Sequence, residues 1–182
     1  MPPRLLARRF IAKPMPMLTL QFAIEAGLSS RLIRWFSHGP YTHVDVVLPE
    51  QKLLGARSDC PVNGKTGVQA RPENYAKFVH VRRVKLSVTP SQEVLFYSFL
   101  KRQIGKPYDW RAILAFVFDR NWRNADAWYC SELVAAALEY AGVIPAYIYA
   151  PANKITPDDL LLILSALFDI EARKILGRNS KH

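Results

Sequence analysis

The sequence predicts an α+β protein, an antiparallel β-sheet packed against helices. Three observations carry that expectation. The first half of the chain reads in short runs that alternate apolar and polar residues or are rich in β-branched ones. The second half reads in longer runs with helix start and stop signals. Strands grouped ahead of helices, rather than alternating with them, lead to α+β rather than to a parallel sheet.

In "LTLQFAIE" (18–25), Leu18, Leu20, Phe22 and Ile24 alternate with Thr19, Gln21 and Ala23, which predicts a strand. "SSRLIRWF" (29–36) predicts a short helix. "THVDVVL" (42–48) is β-branched, and "KLLGAR" (52–57) follows a tight "PEQ" link, so the two pair as a hairpin. "GVQARP" (67–72) and "FVHVRRVKL" (78–86) read as further strands, and between them and the hairpin "RSDCPVNGK" reads as a Pro/Gly/Asn-rich loop holding Cys60. "TPSQEVLFYSFLKRQIG" (89–105) opens with Thr89 as N-cap, Pro90 in the first helical position and Gln92 three residues after the cap, and closes on Gly105. "DWRAILAFVF" (109–118) predicts a second helix and residues 129–141 a third, ended by Gly142. "TPDDLLLILSALFDIEARKIL" (156–176) starts with Thr156, Pro157 and two acids and is helical, with a break expected near Ser165.

A chain of 182 residues, half of them hydrophobic and 22% charged, can bury a core without staples. Two cysteines, Cys60 and Cys130, make no disulfide framework, and no Cys/His metal spacing occurs, so no metal and no cofactor is expected. The net charge of +10 favours contact with an anionic surface through a basic face, and a plain solvated face fits it as well. Positive residues cluster in "RLLARRF" (4–10) and "EARKILGRNSKH" (171–182), and no nucleic-acid-binding motif is present, so no specific nucleic acid is expected. No run approaches a membrane span, and Pro2, Pro3, Pro14 and Pro16 interrupt the N-terminal segment, so neither a transmembrane segment nor a Sec-type signal is read.

Two stretches carry candidate chemistry. In "AWYCSELVAAALEYAG" (127–142), the apolar residues at 133, 134, 137, 138 and 141 share a helix face with Cys130, which stands in the first turn. Helix N-terminal amides lower a thiol pKa, although a cysteine on an apolar face also serves as a small core hydrophobe. Ser131 and Glu132, polar and adjacent, suggest the edge of a site. In "YTHVDVVLP" (41–49), His43 and Asp45 project from one strand face while Val44, Val46 and Leu48 project from the other. A carboxylate beside an imidazole fixes its tautomer and stabilises its cation. His38, His80 and His182 lack that placement. In "IGKPYDW" (104–110), Tyr108 follows a Gly-Lys-Pro turn, where a phenol donates to an oxyanion or simply caps the core.

"GKPYDW … WYCSELVAAALEYAG" resembles the NlpC-type cysteine peptidases of the papain-like superfamily, and "SHGPYTHVDVVLPEQKLLGAR" resembles their histidine segment. Here the histidine precedes the cysteine, an order similar to the circularly permuted YiiX-like and LRAT-like branch; "CSEL" and the later "KITPDDLL" resemble the YiiX-like group. Variants of the histidine segment are frequent in phage and prophage proteins of this kind. The resemblance covers roughly residues 18–164 and implies a permuted papain-like catalytic domain there, with a basic N-terminal segment over 1–17 and a basic C-terminal helix or tail over 165–182. It implies Cys130 as nucleophile, His43 as general base and Tyr108 near the oxyanion. The family's third polar residue sits on the next strand, where this chain has Gly55, and Asp45 is expected to supply the partner instead.

The implied function is a thiol hydrolase, an amidase or peptidase acting on cell-wall peptide or another amide, in a cytoplasmic or phage-associated protein. The alternatives are a lipid-directed acyltransferase or thioesterase, for which "LLLILSALF" (160–168) would cover an acyl chain, and a non-catalytic phage or envelope binding module.

Overall fold

A computed structural model describes residues 14–25, 39–109, 127–145 and 155–168. They form a five-stranded antiparallel sheet and three helices, as the α+β reading expects: β1 (Met17–Glu25), β2 (His43–Leu48), β3 (Lys52–Val62), β4 (Lys65–Pro72), β5 (Phe78–Ser87), α1 (Pro90–Gln103), α2 (Cys130–Tyr140) and α3 (Pro157–Phe168). The sheet order is β4-β3-β2-β1-β5, so β2 is central.

Register divides the sheet into two faces. Leu20 pairs with Val46 and Phe22 with Val44, so these side chains share one face; Gln21 pairs with Asp45 and Ala23 with His43 on the other. The apolar face continues through Leu18, Leu54, Ala56, Val68, Val84 and Leu86 and merges with Leu133, Val134 and Leu138 of α2 and Leu160 and Leu164 of α3 into one core. Each such Leu, Val or Phe, once fully buried, contributes roughly 1.5–3 kcal/mol.

β3 and β4 run further than the sequence predicts, and the expected loop around Cys60 is absent. Val62 pairs with Lys65 across Asn63 and Gly64, whose φ values of 50° and 75° make the two-residue turn that suits a twisted hairpin. Cys60 therefore lies within a strand, in a bulge between Arg57 and Val62, at φ 54°. The guanidinium of Arg71, buried, holds this bulge by donating to the carbonyls of Cys60 at 2.9 Å, Gly55 at 3.1 Å and Gly67 at 3.0 Å.

The link from β4 to β5 is the unusual connection. It joins the two edges of the sheet in the five residues between Pro72 and Phe78. It leaves where Pro72 pairs with Lys52 and arrives where Phe78 pairs with Glu25, and its Tyr75 bonds Asp45, so it crosses the polar face. Four inter-strand gaps in a flat sheet span about 19 Å. The link forms a turn, with Tyr75 N donating to Pro72 O at 3.1 Å, and cannot reach that far, so the sheet is curled and its edges are drawn together. An ion pair between Glu73 and Arg83 of β5 fastens the link to the sheet.

Helix α1 has the expected capping box: Gln92 N donates to Thr89 Oγ1 at 3.2 Å and Thr89 N to Gln92 Oε1 at 2.9 Å. Gln92 Nε2 also donates to Gly142 O at 2.8 Å, tying α1 to the end of α2. Helix α3 is capped by Thr156 and Asp159, with Asp159 N donating to Thr156 Oγ1 at 3.1 Å. It continues through Ser165 without the expected break, the Ser165 hydroxyl being satisfied within the helix by donating to Leu161 O at 2.7 Å. Asp158 of α3 accepts from Tyr41 N at 3.4 Å and lies so close over Gly39 that any Cβ there would collide with its carboxylate. That contact docks α3 on the segment entering β2. The helix read at 29–36, all but Asp109 of the one read at 109–118, residues 169–176, and the basic clusters at 4–10 and 171–182 lie outside the described residues.

Candidate active site

Cys130 is the first residue of α2, on the buried side of the helix, and is 5% exposed. Tyr129 before it is extended, with ψ 170°, and its hydroxyl donates to Ile155 O at 3.1 Å, which fixes the approach to the helix. Unlike α1 and α3, α2 receives no side-chain cap hydrogen bond from its N-cap residue. Ser131 and Glu132, read as a site edge, are both buried.

His43 opens β2, and the Cys130 thiol lies close enough to its ring to favour the imidazolium. His43 Nε2 is 2.8 Å from Asp45 Oδ1 and is taken by it, which leaves Nδ1 as the ring nitrogen not engaged by Asp45. Burial, the largest influence on the ring, disfavours its cation; the Asp45 carboxylate and then Cys130 outweigh it, and the His43 pKa is pushed up to about 10. For Asp45, burial disfavours the charge, but His43, a hydrogen bond from Tyr75 and the charge of Arg57 hold its pKa below the usual carboxylate value.

The Asp45 carboxylate occupies the space above Gly55 on the neighbouring strand. A Cβ at Gly55 would collide with Oδ1, the atom bonded to His43. The absence of a side chain at 55 is therefore what lets a carboxylate from the histidine's own strand take this place.

Asp45 has support that the sequence did not reveal. Tyr75, in the link across the polar face, donates to Asp45 Oδ2 at 2.7 Å. Arg57 Nη1 donates to the same phenol oxygen at 3.0 Å, and the guanidinium lies 5.0 Å from the Tyr75 ring centre. Arg57 is held in turn by both carboxylate oxygens of Glu25 and by Asp59, with bonds to Asp59 of 2.7 and 2.9 Å. The one available signal was the spacing of Arg57, two residues from Gly55 and so on the same strand face; nothing local marks Tyr75.

Tyr108 joins the group from another direction. The turn before it docks on β4, where Val68 N donates to Lys106 O at 2.9 Å and Gly105 N to Val68 O at 2.8 Å. Gly67, at φ 98°, permits this approach, since a Cβ there would run into the Lys106 carbonyl. Tyr108 then bridges Trp128, two residues before Cys130. Burial, followed by the charge of the nearby Cys130, raises the Tyr108 pKa well above its ordinary value, so the phenol keeps its proton.

The four residues singled out from sequence, Cys130, His43, Asp45 and Tyr108, thus meet at one place. Cys60 and Cys130 are both free thiols, and Cys60 belongs to the Arg71 bulge. His80 is exposed on β5; His38 and His182 lie outside the described residues. Among the described residues no group of His, Cys, Asp and Glu is arranged to hold a metal ion, and no helix is long and apolar enough to cross a membrane. No protein-family model and no curated protein matches the chain.

Such a constellation has defined chemical capacity. A thiol beside an imidazole whose cation is stabilised can pass its proton to the ring and become a thiolate.

Proposed function

We propose that the chain is a thiol hydrolase with a permuted papain-like fold, acting on an amide. The observation that carries this reading is an imidazole with Nε2 held by a buried carboxylate, beside the Cys130 thiol at a helix start. His43 takes the proton of Cys130, and the thiolate attacks the carbonyl carbon, forming a C–S bond. The carbonyl oxygen becomes an oxyanion, held by amides of the first turn of α2 and by the Tyr108 hydroxyl. The imidazolium gives its proton to the departing amine as the C–N bond breaks. Water, deprotonated by His43, then cleaves the thioester and returns the thiol. The resemblance to NlpC-type peptidases points to a peptide of the cell wall as substrate, and the +10 charge suits an anionic envelope.

A lipid-directed acyl transfer would use the same residues. The exposure of Leu162 (70%) and Leu167 (48%) on α3 favours it as the second reading.

The test compares Cys60→Ser with Cys60→Ser/Cys130→Ala on peptidoglycan fragments and on phospholipid vesicles. Release of new amine termini from the wall fragments, lost by at least about 10³-fold without Cys130, is the expected result. Acyl release from the vesicles instead moves the assignment to lipid chemistry. Amine release that persists in the double variant refutes the cysteine as nucleophile.

A further inference from the structure

We infer that Tyr75 is a positioning residue for the Cys130–His43 pair, acting through Asp45. The inference rests on the thiol-hydrolase reading and adds a member to its machinery. A carboxylate that orients a histidine must itself be kept from rotating. Asp45 Oδ1 is pressed over Gly55 and bonded to His43, and Oδ2 accepts from Tyr75 at 2.7 Å, so both oxygens are assigned.

The direction of the Tyr75 bond is fixed by Arg57. An arginine only donates, so the phenol oxygen accepts from Arg57 Nη1, and its own single proton goes to Asp45. Burial, then the Asp45 charge, raise the Tyr75 pKa, so this proton stays in place. The ring is clamped edge-on by Phe78, with centroids 5.5 Å apart, and by the guanidiniums of Arg57 at 5.0 Å and Arg71 at 5.8 Å. Glu25 and Asp59 keep Arg57 in place, so the chain of support runs from Glu25 and Asp59 through Arg57, Tyr75 and Asp45 to His43.

A residue that merely filled space would support the fold without affecting the imidazole. Tyr75→Phe separates the two roles, because phenylalanine keeps the ring and its contacts and removes only the hydroxyl. In a Cys60→Ser background, the His43 Nε2–H proton is observed by NMR and Cys130 is modified with iodoacetamide at pH 6–7. The parent should show a persistent Nε2–H resonance and modification of Cys130. Tyr75→Phe should lose that resonance to exchange and slow the modification about tenfold, the low end of the loss known for outer partners of metal-ligating histidines. Its circular dichroism and melting temperature should be retained. An unchanged resonance and rate in Tyr75→Phe overturn the positioning role and leave the thiol-hydrolase reading standing. A parent with neither signal sinks both. Should Tyr75→Phe fail to fold, the Tyr75 hydroxyl proton of the parent decides: slow exchange, with a shift on replacing Asp45 by Asn, supports the role, and rapid exchange overturns it.

Discussion

Asp45 meets four side chains or backbone surfaces, and each limits it differently: His43 takes one oxygen, Tyr75 the other, Gly55 leaves the room, and Arg57 supplies a positive field. If the carboxylate balances the imidazolium, Asp45→Asn should lower turnover by about 10²-fold, the low end of what a positioned acid–base group contributes. The loss should be smaller than that of Cys130→Ala, since a thiolate–imidazolium pair keeps some reactivity without its third member. Gly55→Ala should act alike, because its Cβ displaces the same oxygen. Rate and melting temperature measured together on both variants check this; full activity in either folded variant refutes the orienting role. The period of two that put His43 and Asp45 on one face was legible in the sequence, as was the helix start at Cys130. Tyr75 was not, because its place depends on a link crossing the sheet, and no local pattern of residues records where a link goes.

The elements that carry the site are joined by close backbone approaches as much as by side chains. The turn holding Tyr108 rests on β4 through Val68, and this requires Gly67 both for its φ of 98° and for its missing Cβ. Gly67→Ala should cost about 1–3 kcal/mol from backbone strain alone and should displace Tyr108. Denaturant unfolding measures the first, and weaker binding of an aldehyde analogue of the tetrahedral state the second. A variant of native stability would show that the turn sits elsewhere. Helix limits were readable because capping chemistry is local: Thr89, Gln92, Thr156 and Asp159 make the bonds their spacing announces. Only the outer part of the β3–β4 hairpin, "RSDCPVNGK", reads as a loop, because it is rich in Pro, Gly and Asn. Asn63–Gly64 carried the turn signal, and the bulge absorbed the mismatch.

For the whole molecule, two groups set opposite halves of the stability profile. The His43 pKa rises from an ordinary 6.5 to about 10, so its contribution is full below about 6.5 and declines as the pH climbs, vanishing past 10. The Asp45 pKa is lowered from 3.8, so its contribution is full above that value and is lost as the pH falls below it. Asp158 behaves differently: burial, the largest cause, and Asp159 raise its pKa from 3.8 to about 6 against the hydrogen bond from Tyr41, so it withdraws stability between those values as pH rises. Urea unfolding at intervals from pH 3 to 10 should show two separate declines on the rising side. Asp158→Asn should flatten the one near pH 4–6, and His43→Gln the one above 6.5; an alkaline slope unchanged in His43→Gln would mean that the imidazolium is not held by its neighbours.

The link over the polar face sets one support of the site, Tyr75, outside the strands that carry His43 and Asp45. No strand pairing runs through Glu73–Lys77, yet Tyr75 hangs from that segment alone, and Lys77 beside it is exposed. A cut after Lys77 would interrupt no strand pair but would remove the covalent tie between the Tyr75 segment and β5, leaving side-chain contacts alone to hold Tyr75 on Asp45. On the proposed mechanism, one severed peptide bond there would weaken the chemistry while interrupting no strand pair.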